Sequence, residues 1–362
     1  MSTLWVGNFS FEDELQGKNQ PSAIVRRFEA ELAPCLAGAA ASGDMILCPE
    51  SVDESFSDHL KQWGIEPPSF LSFEEVHKRA NEITAIEPWG WSPVVVHIVK
   101  KLGVFPHPPF ESVKPANSRQ FSFQIARKLA CQLDNECEIR DLTQLRKELS
   151  QKCYENGFVI KSNYGQSGRG QFMNSTQELT EQQEKWIEKK LKVDKVIFLE
   201  PKLNNVAEIG VQWDVPQEGS PTLFGISQLK SDERGQYLGS IVGFDVQAFP
   251  ELEEIIHCQR LAVLEIQQLG YFGPVGIDAM IYLEQSGERK SRPLQDINAR
   301  WTMGRLAIHW ADRCFPNTSS SIHWVHSPTT PHPLAMKTTP DEVGGKSTRY
   351  LTWCYQVEGH DD

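Results

Sequence analysis

Four polar side chains in the C-terminal third of the chain are spaced so that three of them could bind a hard cation, with an arginine beside them. They are Asp278, Asp296, Asn298 and Arg300. Apolar residues alternate with them, as in half-buried strands, and a period of two places the last three on one face. If the two segments pair as a hairpin, two carboxylates and an amide converge beside a guanidinium. Such oxygen ligands suit Mg²⁺, although a polar cluster without a metal would show the same pattern.

A glycine-rich loop could cradle phosphate groups. A predicted strand begins at Phe158 and ends at Lys161, and the loop 163–170 follows it. The loop residues that could contact phosphate are Gly165, Ser167, Gly168, Arg169 and Gly170. Glycines let backbone N–H groups approach phosphate oxygens closely, but a glycine-rich hairpin is the alternative. The spacing fits neither the P-loop nor the dinucleotide fingerprint, and Pro340 argues against a P-loop over 340–348.

An arginine at the start of a predicted helix is a further candidate for anion binding. Ser118 can cap a helix over 119–132, so Arg119 lies where its charge opposes the helix dipole. Helix stability does not favour an arginine there, whereas an anionic ligand would. A solvated arginine is the alternative interpretation.

A predicted strand over 195–203 runs into a polar turn, and two more predicted strands follow. The turn residues are Glu200, Pro201, Lys202 and Leu203. The strand over 206–213 carries Glu208, which faces the same way as Gln212. Lys230 ends the strand over 222–230, where a solvated lysine is the alternative to a phosphate contact.

The order of these features resembles the ATP-grasp superfamily of carboxylate–amine and carboxylate–thiol ligases. A lysine and glycine-rich loop comes first, then Glu-Pro-Lys-Leu, then a glutamate, and finally Asp and Asp-x-Asn-x-Arg. The resemblance covers about residues 116–312. It implies an α/β (α+β) fold in which two lobes clamp ATP between antiparallel sheets, preceded by a small α/β domain with a parallel sheet.

The resemblance also implies a role for each candidate residue. The metal ligands for Mg²⁺ or Mn²⁺ would be Asp278, Asp296 and Asn298. The phosphates would meet Lys161, Arg300, Lys230, Arg119 and the loop from Gly165 to Gly170. The backbone of Pro201 and Leu203 would meet adenine, with Glu200 and Lys202 beside them, and Glu208 would hold the ribose. Two positions depart from the family, which commonly has lysine at Arg119 and glutamate at Asp296.

The implied reaction is ATP-dependent amide bond formation. A carboxylate attacks the γ-phosphorus, ADP leaves, and an amine, or alternatively a thiol, displaces phosphate from the acyl-phosphate. The expected partners are small-molecule carboxylates and amines, with an amino acid or peptide favoured, and a homodimer is left open. Two alternatives also remain at this level: an ATP-binding module without ligase activity, and a kinase-like phosphotransferase on the same fold.

Three regions must position these residues. The predicted divisions are an N-terminal α/β domain over 1–115, a first lobe over 116–199, and a second lobe with its C-terminal tail over 200–362. Strand and helix patterns alternate in the first region, which predicts a parallel sheet. The proline-rich segment 104–117 is predicted to be extended, and a helix is predicted over 138–151. The tail either covers the substrate side of the cleft or packs on the core.

Composition excludes several classes of protein. The net charge of −12 argues against nonspecific binding to nucleic acid or to an anionic membrane. The 8 cysteines show neither CxxC spacing nor a zinc pattern, so reduced thiols in a cytoplasmic protein are expected. No signal peptide and no membrane-spanning apolar run is evident.

Overall fold

The computed structural model describes residues 2–18, 21–103, 105–152, 154–166, 169–176, 178–233 and 235–357. The helices are α1 Phe11–Leu15, α2 Ala23–Leu32, α3 Glu54–Gln62, α4 Phe73–Lys78, α5 Pro93–Lys100, α6 Phe110–Ala116, α7 Arg119–Lys128, α8 Leu142–Gln151, α9 Glu181–Asp194, α10 Leu252–Gln268 and α11 Met303–Cys314. The longer strands are β1 Ser2–Val6, β2 Met45–Leu47, β3 Ser69–Leu71, β4 Ile83–Pro88, β5 Cys137–Ile139, β6 Phe158–Gln166, β7 Arg169–Asn174, β8 Ile197–Pro201, β9 Asn204–Val215, β10 Thr222–Ser231, β11 Tyr237–Val242, β12 Gly273–Leu283, β13 Arg289–Asn298 and β14 Ser321–His326. The remaining strands are β15 Met336–Lys337, β16 Glu342–Val343, β17 Lys346–Ser347 and β18 Thr352–Val357.

The first four strands form a parallel sheet in the order β3-β2-β1-β4. Both faces of this sheet are covered, which is why apolar residues predominate in its central strands. Leu4 and Val6 are buried against Val95 of α5 on one side, and Trp5 and Ile46 face the main core on the other. The parallel-sheet α/β unit predicted for the N-terminal region is confirmed.

A second sheet is antiparallel, in the order β5-β8-β6-β7. The prediction that Lys161 ends its strand is wrong, because β6 continues to Gln166. Its partner β7 sustains the longer strand: Lys161 lies opposite Gln171, and Gln166 lies opposite Arg169. The glycine-rich segment is therefore the closing end of a β-hairpin.

The third sheet contains eight antiparallel strands in the order β13-β12-β9-β10-β11-β14-β18-β15. The predicted pairing of the two segments that carry the polar cluster is confirmed, with Asp278 opposite Asp296 and Gly276 opposite Asn298. Strands β14 and β18 extend the sheet beyond β11, and Trp324 of β14 is fully buried. The C-terminal strands are thus part of the core.

The helix predicted over 138–151 begins only at Leu142. Asp141 caps it by accepting a hydrogen bond from the backbone N–H of Gln144, because a short carboxylate satisfies one of the unpaired N–H groups of the first turn. The residues before the cap form β5 instead, paired with β8.

The proline-rich segment 104–117 is not extended throughout, because it contains α6. Pro109 precedes this helix, and Pro115 lies within its 7 residues. A proline in the last turn of so short a helix removes a single backbone hydrogen bond, so the helix survives.

The N-terminal sheet and the loop after β4 contact the segment between β13 and α11. The rings of Trp5 and Trp301 meet edge to face, with centroids 5.2 Å apart, and the Trp301 backbone N–H donates to the Trp89 carbonyl at 2.9 Å. This contact places the first part of the chain beside the start of α11. All seven cysteines within the described residues are free thiols. Across the same residues, no helix combines the length and apolarity needed to cross a membrane.

Candidate active site between the two antiparallel sheets

A cavity of about 660 Å³ lies between the second and third sheets. It is lined by most of the residues that the sequence singled out. They are Arg119, Lys161, Gly165, Glu200, Pro201, Lys202, Leu203, Glu208, Lys230, Asp278, Asp296, Asn298 and Arg300. The fold therefore brings together side chains that are up to 181 residues apart in the chain, the separation from 119 to 300.

The polar cluster of β12 and β13 is one continuous group on the cavity wall. Asn298 donates from Nδ2 to Asp278 Oδ2 at 3.2 Å. Burial, together with the negative charges of Asp296 and Glu208, raises the pKa of Asp278 to about 7. Three carboxylates thus concentrate negative charge at one place, and a cation bound there would relieve their repulsion.

Arg119 contacts Asp296 across the cavity edge. Its Nε lies 3.0 Å from Asp296 Oδ1, and its Nη1 donates to the Ser162 carbonyl at 2.6 Å. The sequence offered only an anionic ligand or solvent as partners for this arginine, and that interpretation was incomplete. The structural reason for a cation at the start of α7 is a carboxylate on the facing strand, 177 residues away.

A buried charge network forms part of the cavity wall. Lys161 Nζ and Arg292 Nη1 both contact Glu200 Oε2, at 2.9 and 2.8 Å, and Arg292 Nη2 lies 2.9 Å from Glu136 Oε1. Although burial alone would raise it, these two cations hold the pKa of Glu200 well below its usual range. Only 5% of Lys161 is exposed. A lysine can be buried to this extent because the carboxylate of Glu200 neutralises its charge.

Sequence reasoning missed Arg292 and Glu136. Alternation from Asp296 could not have placed Arg292, because the pairing of β12 with β13 shifts register between the two residues, and Leu294 between them is buried in the apolar core. Glu136 lies between α7 and β5, where the sequence has no periodic pattern that would indicate which way its side chain points. The side chain of Glu200, assigned to nucleotide binding, is already engaged by Lys161 and Arg292.

Arg300 joins the polar cluster to the N-terminal region. It donates from Nη2 to Asn298 Oδ1 at 3.1 Å and from Nε to Glu12 Oε1 at 2.7 Å. Its Nη1 donates to the Trp301 carbonyl at 2.7 Å. Glu12 is 288 residues away in sequence, and no sequence signal predicted its presence in the cavity.

The turn after β8 forms another wall of the cavity. Pro201, Lys202 and Leu203 line it, and Phe158 pairs with Pro201 in the second sheet. Glu208, at the far side of this turn, accepts a hydrogen bond from Ser231 Oγ at 2.9 Å. Lys230 also lines the cavity, with Nζ 3.4 Å from His323 Nδ1.

The glycine-rich hairpin borders the cavity, where Gly165 is a lining residue. Gly170 adopts a φ of 83°, and a Cβ there would lie 2.5 Å from Ser162 Oγ. Glycine is therefore required at this position for the hairpin to close. Ser167 and Gly168 lie outside the described residues, and so does the side chain of Arg169.

The donor set fits a cation that completes its coordination from phosphate or water. Within the ranges that the structure describes, no three His, Cys, Asp or Glu side chains form a group that could hold a metal by themselves. Asp278 and Asp296 with the Asn298 amide supply fewer protein ligands, which matches the habit of Mg²⁺. Burial is the main cause of the raised pKa of Asp278, and the charges of Asp296 and Glu208 add to it although Arg300 opposes them, so a cation bound there would favour the ionised carboxylate.

Solved structures with a similar fold are known, although sequence comparisons find no relative. No protein-family model matches the sequence, and no curated protein matches it significantly. N5-carboxyaminoimidazole synthetase from Staphylococcus aureus, complexed with ADP, superposes with a TM-score of 0.57 at 11% identity, over 99% of this chain and 94% of that one. The biotin carboxylase domain of Hydrogenobacter thermophilus 2-oxoglutarate carboxylase, with MgADP, ADP and bicarbonate, gives 0.58 at 13% identity over 98% and 86%.

A third solved structure is described as a member of a named superfamily. A protein of the ATP-grasp superfamily from Archaeoglobus fulgidus superposes with a TM-score of 0.53 at 11% identity, over 99% of this chain and 100% of that one. The chain has the ATP-grasp fold. The resemblance stated from sequence covered only about 116–312, whereas the structural match to the ATP-grasp fold also includes the N-terminal parallel sheet.

Proposed function

We propose that this chain is an ATP-dependent carboxylate–amine ligase that activates a carboxylate as an acyl-phosphate. The observation that carries the proposal is the single cavity between two antiparallel sheets, which joins the Glu200–Leu203 turn to the carboxylate group at Asp278. One end offers backbone groups to a base, and the other offers negative charge for a cation. Solved structures of the same fold were obtained with ADP and with MgADP, which supports a nucleotide in this cavity.

Different residues along the cavity would bind the adenine, the ribose and the phosphates of ATP. Adenine would lie against Pro201 and Leu203, and the ribose hydroxyls would donate to Glu208. Lys161 would bind phosphate oxygens, with the glycine-rich hairpin closing over them. Closure would exclude water, which matters because an acyl-phosphate hydrolyses.

Asp278, Asp296 and Asn298 would hold Mg²⁺ or Mn²⁺. The ion would supply charge neutralisation for phosphoryl transfer. Arg119 and the ion would then share Asp296, because the arginine contacts that carboxylate in the structure.

The reaction then follows in two balanced steps. A carboxylate oxygen forms a bond to the γ-phosphorus, the bond to the β-phosphate oxygen breaks, and ADP leaves. The amine nitrogen of the second substrate next bonds to the acyl carbon, phosphate leaves with the bonding electrons, and the amine proton passes to phosphate or solvent. Arg300 would stabilise the negative charge that develops on the transferred group. An amino acid or a short peptide is the proposed substrate class.

An activity screen tests the proposal. The full chain would be incubated with MgATP and with amino acids and short peptides, singly and in pairs, while ADP release is followed. Hydroxylamine would then replace the amine, and a hydroxamate is expected together with ADP. AMP release, or ADP release with a stable phosphoester and no hydroxamate, would contradict the ligase. ATP binding with no turnover across the screen would leave a binding module as the correct description.

Replacing Lys161 by alanine should weaken ATP binding about 10- to 100-fold, because a hydrogen bond to a charged group contributes roughly 1.5–3 kcal/mol. Arg292 still neutralises Glu200 in the variant, so the fold should persist. Calorimetric titration with an unhydrolysable ATP analogue measures the change. Lys185→Ala, on the exposed face of α9, is the matched control. Unchanged affinity in Lys161→Ala would remove the lysine from the proposed site.

A further inference from the structure

Two cysteines from distant parts of the chain contact each other where the end of α7 meets α10. Cys131 lies just after α7, and Cys258 lies within α10. Their Sγ atoms are 3.4 Å apart, although 127 residues separate them in sequence. Both are free thiols. Neither is among the residues that line the cavity proposed to bind ATP.

The elements that carry the two thiols are held together by further contacts. Lys128 Nζ, in the last turn of α7, lies 2.5 Å from Glu265 Oε2 of α10. Ser122 Oγ of α7 accepts a hydrogen bond from a backbone N–H of β13 at 3.3 Å, and Gln259 Nε2 of α10 donates to a backbone carbonyl of the same strand at 2.8 Å. The approach of the two sulfurs therefore follows from how both helices pack on one strand.

The geometry and the chemistry of this pair suit a disulfide. Bonded sulfurs are about 2.05 Å apart, so each Sγ would have to move by less than about 1 Å. Cys131 is partly exposed and Cys258 is 9% exposed, so a small oxidant can approach the pair. The hydrogen bond between the thiols lowers the pKa of Cys258 and raises the pKa of Cys131. One thiol is thus favoured to ionise beside a partner that keeps its proton, and a thiolate is the reactive form.

A second cysteine pair in the structure differs from this one and provides an internal comparison. Cys354 of β18 is fully buried, and burial raises the pKa of its thiol well above the usual range. The neighbouring Cys314 Sγ contacts Met336 Sδ at 3.3 Å. Because a buried and protonated thiol reacts slowly, we expect this pair to remain reduced under conditions that oxidise the first.

We infer that Cys131 and Cys258 form a reversible disulfide when the protein meets a peroxide. The thiolate of one cysteine attacks a peroxide oxygen, the O–O bond breaks, and the leaving hydroxide takes a proton to become water. The second sulfur then bonds to the sulfenic sulfur, and its proton leaves with the hydroxyl group as a second water. The two sulfurs lose two electrons, which reduce hydrogen peroxide to water. A dithiol reductant reverses the reaction by thiol–disulfide exchange.

The bond would restrain the segment that leads into the second sheet. Residues 132–136 follow Cys131, and β5 comes next as an edge strand of that sheet. The other end of the bond is on α10, which is hydrogen-bonded to β13 of the third sheet. The disulfide would therefore fasten the two sheets that border the cavity, whatever the cavity binds.

Thiol mapping after oxidation tests the proposal. The folded full chain would be treated with hydrogen peroxide, alkylated, and digested with a protease that cleaves after glutamate, because Glu136 separates Cys131 from Cys137. We expect a linked pair of peptides that contain Cys131 and Cys258 and that separate on reduction with dithiothreitol. Closing a loop of 127 residues should raise the Tm of the oxidised protein by roughly 5 °C. Amide hydrogen exchange over 131–139 should become slower.

Single variants separate this bond from general oxidation. Cys131→Ser and Cys258→Ser should each abolish the linked peptides and the rise in Tm, whereas Cys137→Ser leaves both sulfurs in place and should retain both effects. A serine variant that fails to fold would be replaced by the alanine variant.

Full alkylation of both thiols after peroxide treatment would overturn the proposal. Pairing of either thiol with a different cysteine, or a link between Cys314 and Cys354 in place of the expected one, would do the same. The expected link with unchanged hydrogen exchange would overturn the restraint on the second sheet.

Discussion

Replacing Asp278 by asparagine is expected to reduce ATP turnover roughly 10²- to 10³-fold and to stabilise the protein in the absence of nucleotide. The variant removes a negatively charged metal ligand, so the metal is bound less tightly and the transition state of phosphoryl transfer is less stabilised. It also removes a buried charge that Asp296 and Glu208 repel. Because the side chain faces the cavity, the gain in unfolding free energy should be on the order of 1 kcal/mol.

The gain should depend on pH in a defined direction. The pKa of Asp278 is raised from 3.8 to about 7, so the folded protein holds a proton that the unfolded chain has already lost. The Asp278 carboxyl therefore does not lower the free energy of unfolding below pH 3.8, where it is protonated in both states. It lowers that free energy progressively as pH rises from 3.8 toward 7. The difference between Asp278→Asn and the parent should be largest above pH 7 and should vanish in acid.

Urea unfolding across this pH range and ADP release under Mg²⁺ saturation would measure both effects. Asp58→Asn, whose carboxylate is 72% exposed on α3, is the control and should change neither. A variant that is less stable at high pH, with turnover intact, would mean that Asp278 serves the strand pair and not a metal.

The second large effect is expected at Arg292. Arg292→Met should destabilise the protein by roughly 3–5 kcal/mol, because removing one partner leaves buried charge uncompensated. Glu136 would lose its cation, and Glu200 would keep only Lys161. The loss should be smaller in Arg292→Met combined with Glu136→Gln, since one of the two abandoned carboxylates is then neutral.

Chemical denaturation at neutral pH would test this expectation. Arg289→Met is the matched control on the same strand, because its side chain is 38% exposed beside Glu251 and should contribute about 1 kcal/mol or less. If Arg292→Met and Arg289→Met lost the same small amount, the buried network would not contribute to stability as its geometry suggests. ATP affinity should also fall in Arg292→Met, because Glu200 would then hold Lys161 alone.

The polar group on β12 and β13 could be predicted because its evidence is local. Alternation fixes the face of each residue, and a short connection between two strands favours a hairpin. The contacts of Arg119 and Arg300 could not be predicted from the sequence, because their carboxylate partners lie 177 and 288 residues away. The length of β6 was mispredicted for a different reason: its glycine-rich second half has no strand-like pattern of its own, and it is extended because the chain turns back and pairs Gln166 with Arg169 of β7.

Strand order in the third sheet has a consequence for how the molecule folds. Strand β11 pairs with β14, but α10, β12, β13 and α11 come between them in the chain. During synthesis the open edge of β11 must wait for residues 321–326, and an unpaired strand edge is a template for aggregation. Such non-local pairing slows folding. The edge of β11 is therefore closed only after β14 has been synthesised, and the edge of β14 only after β18.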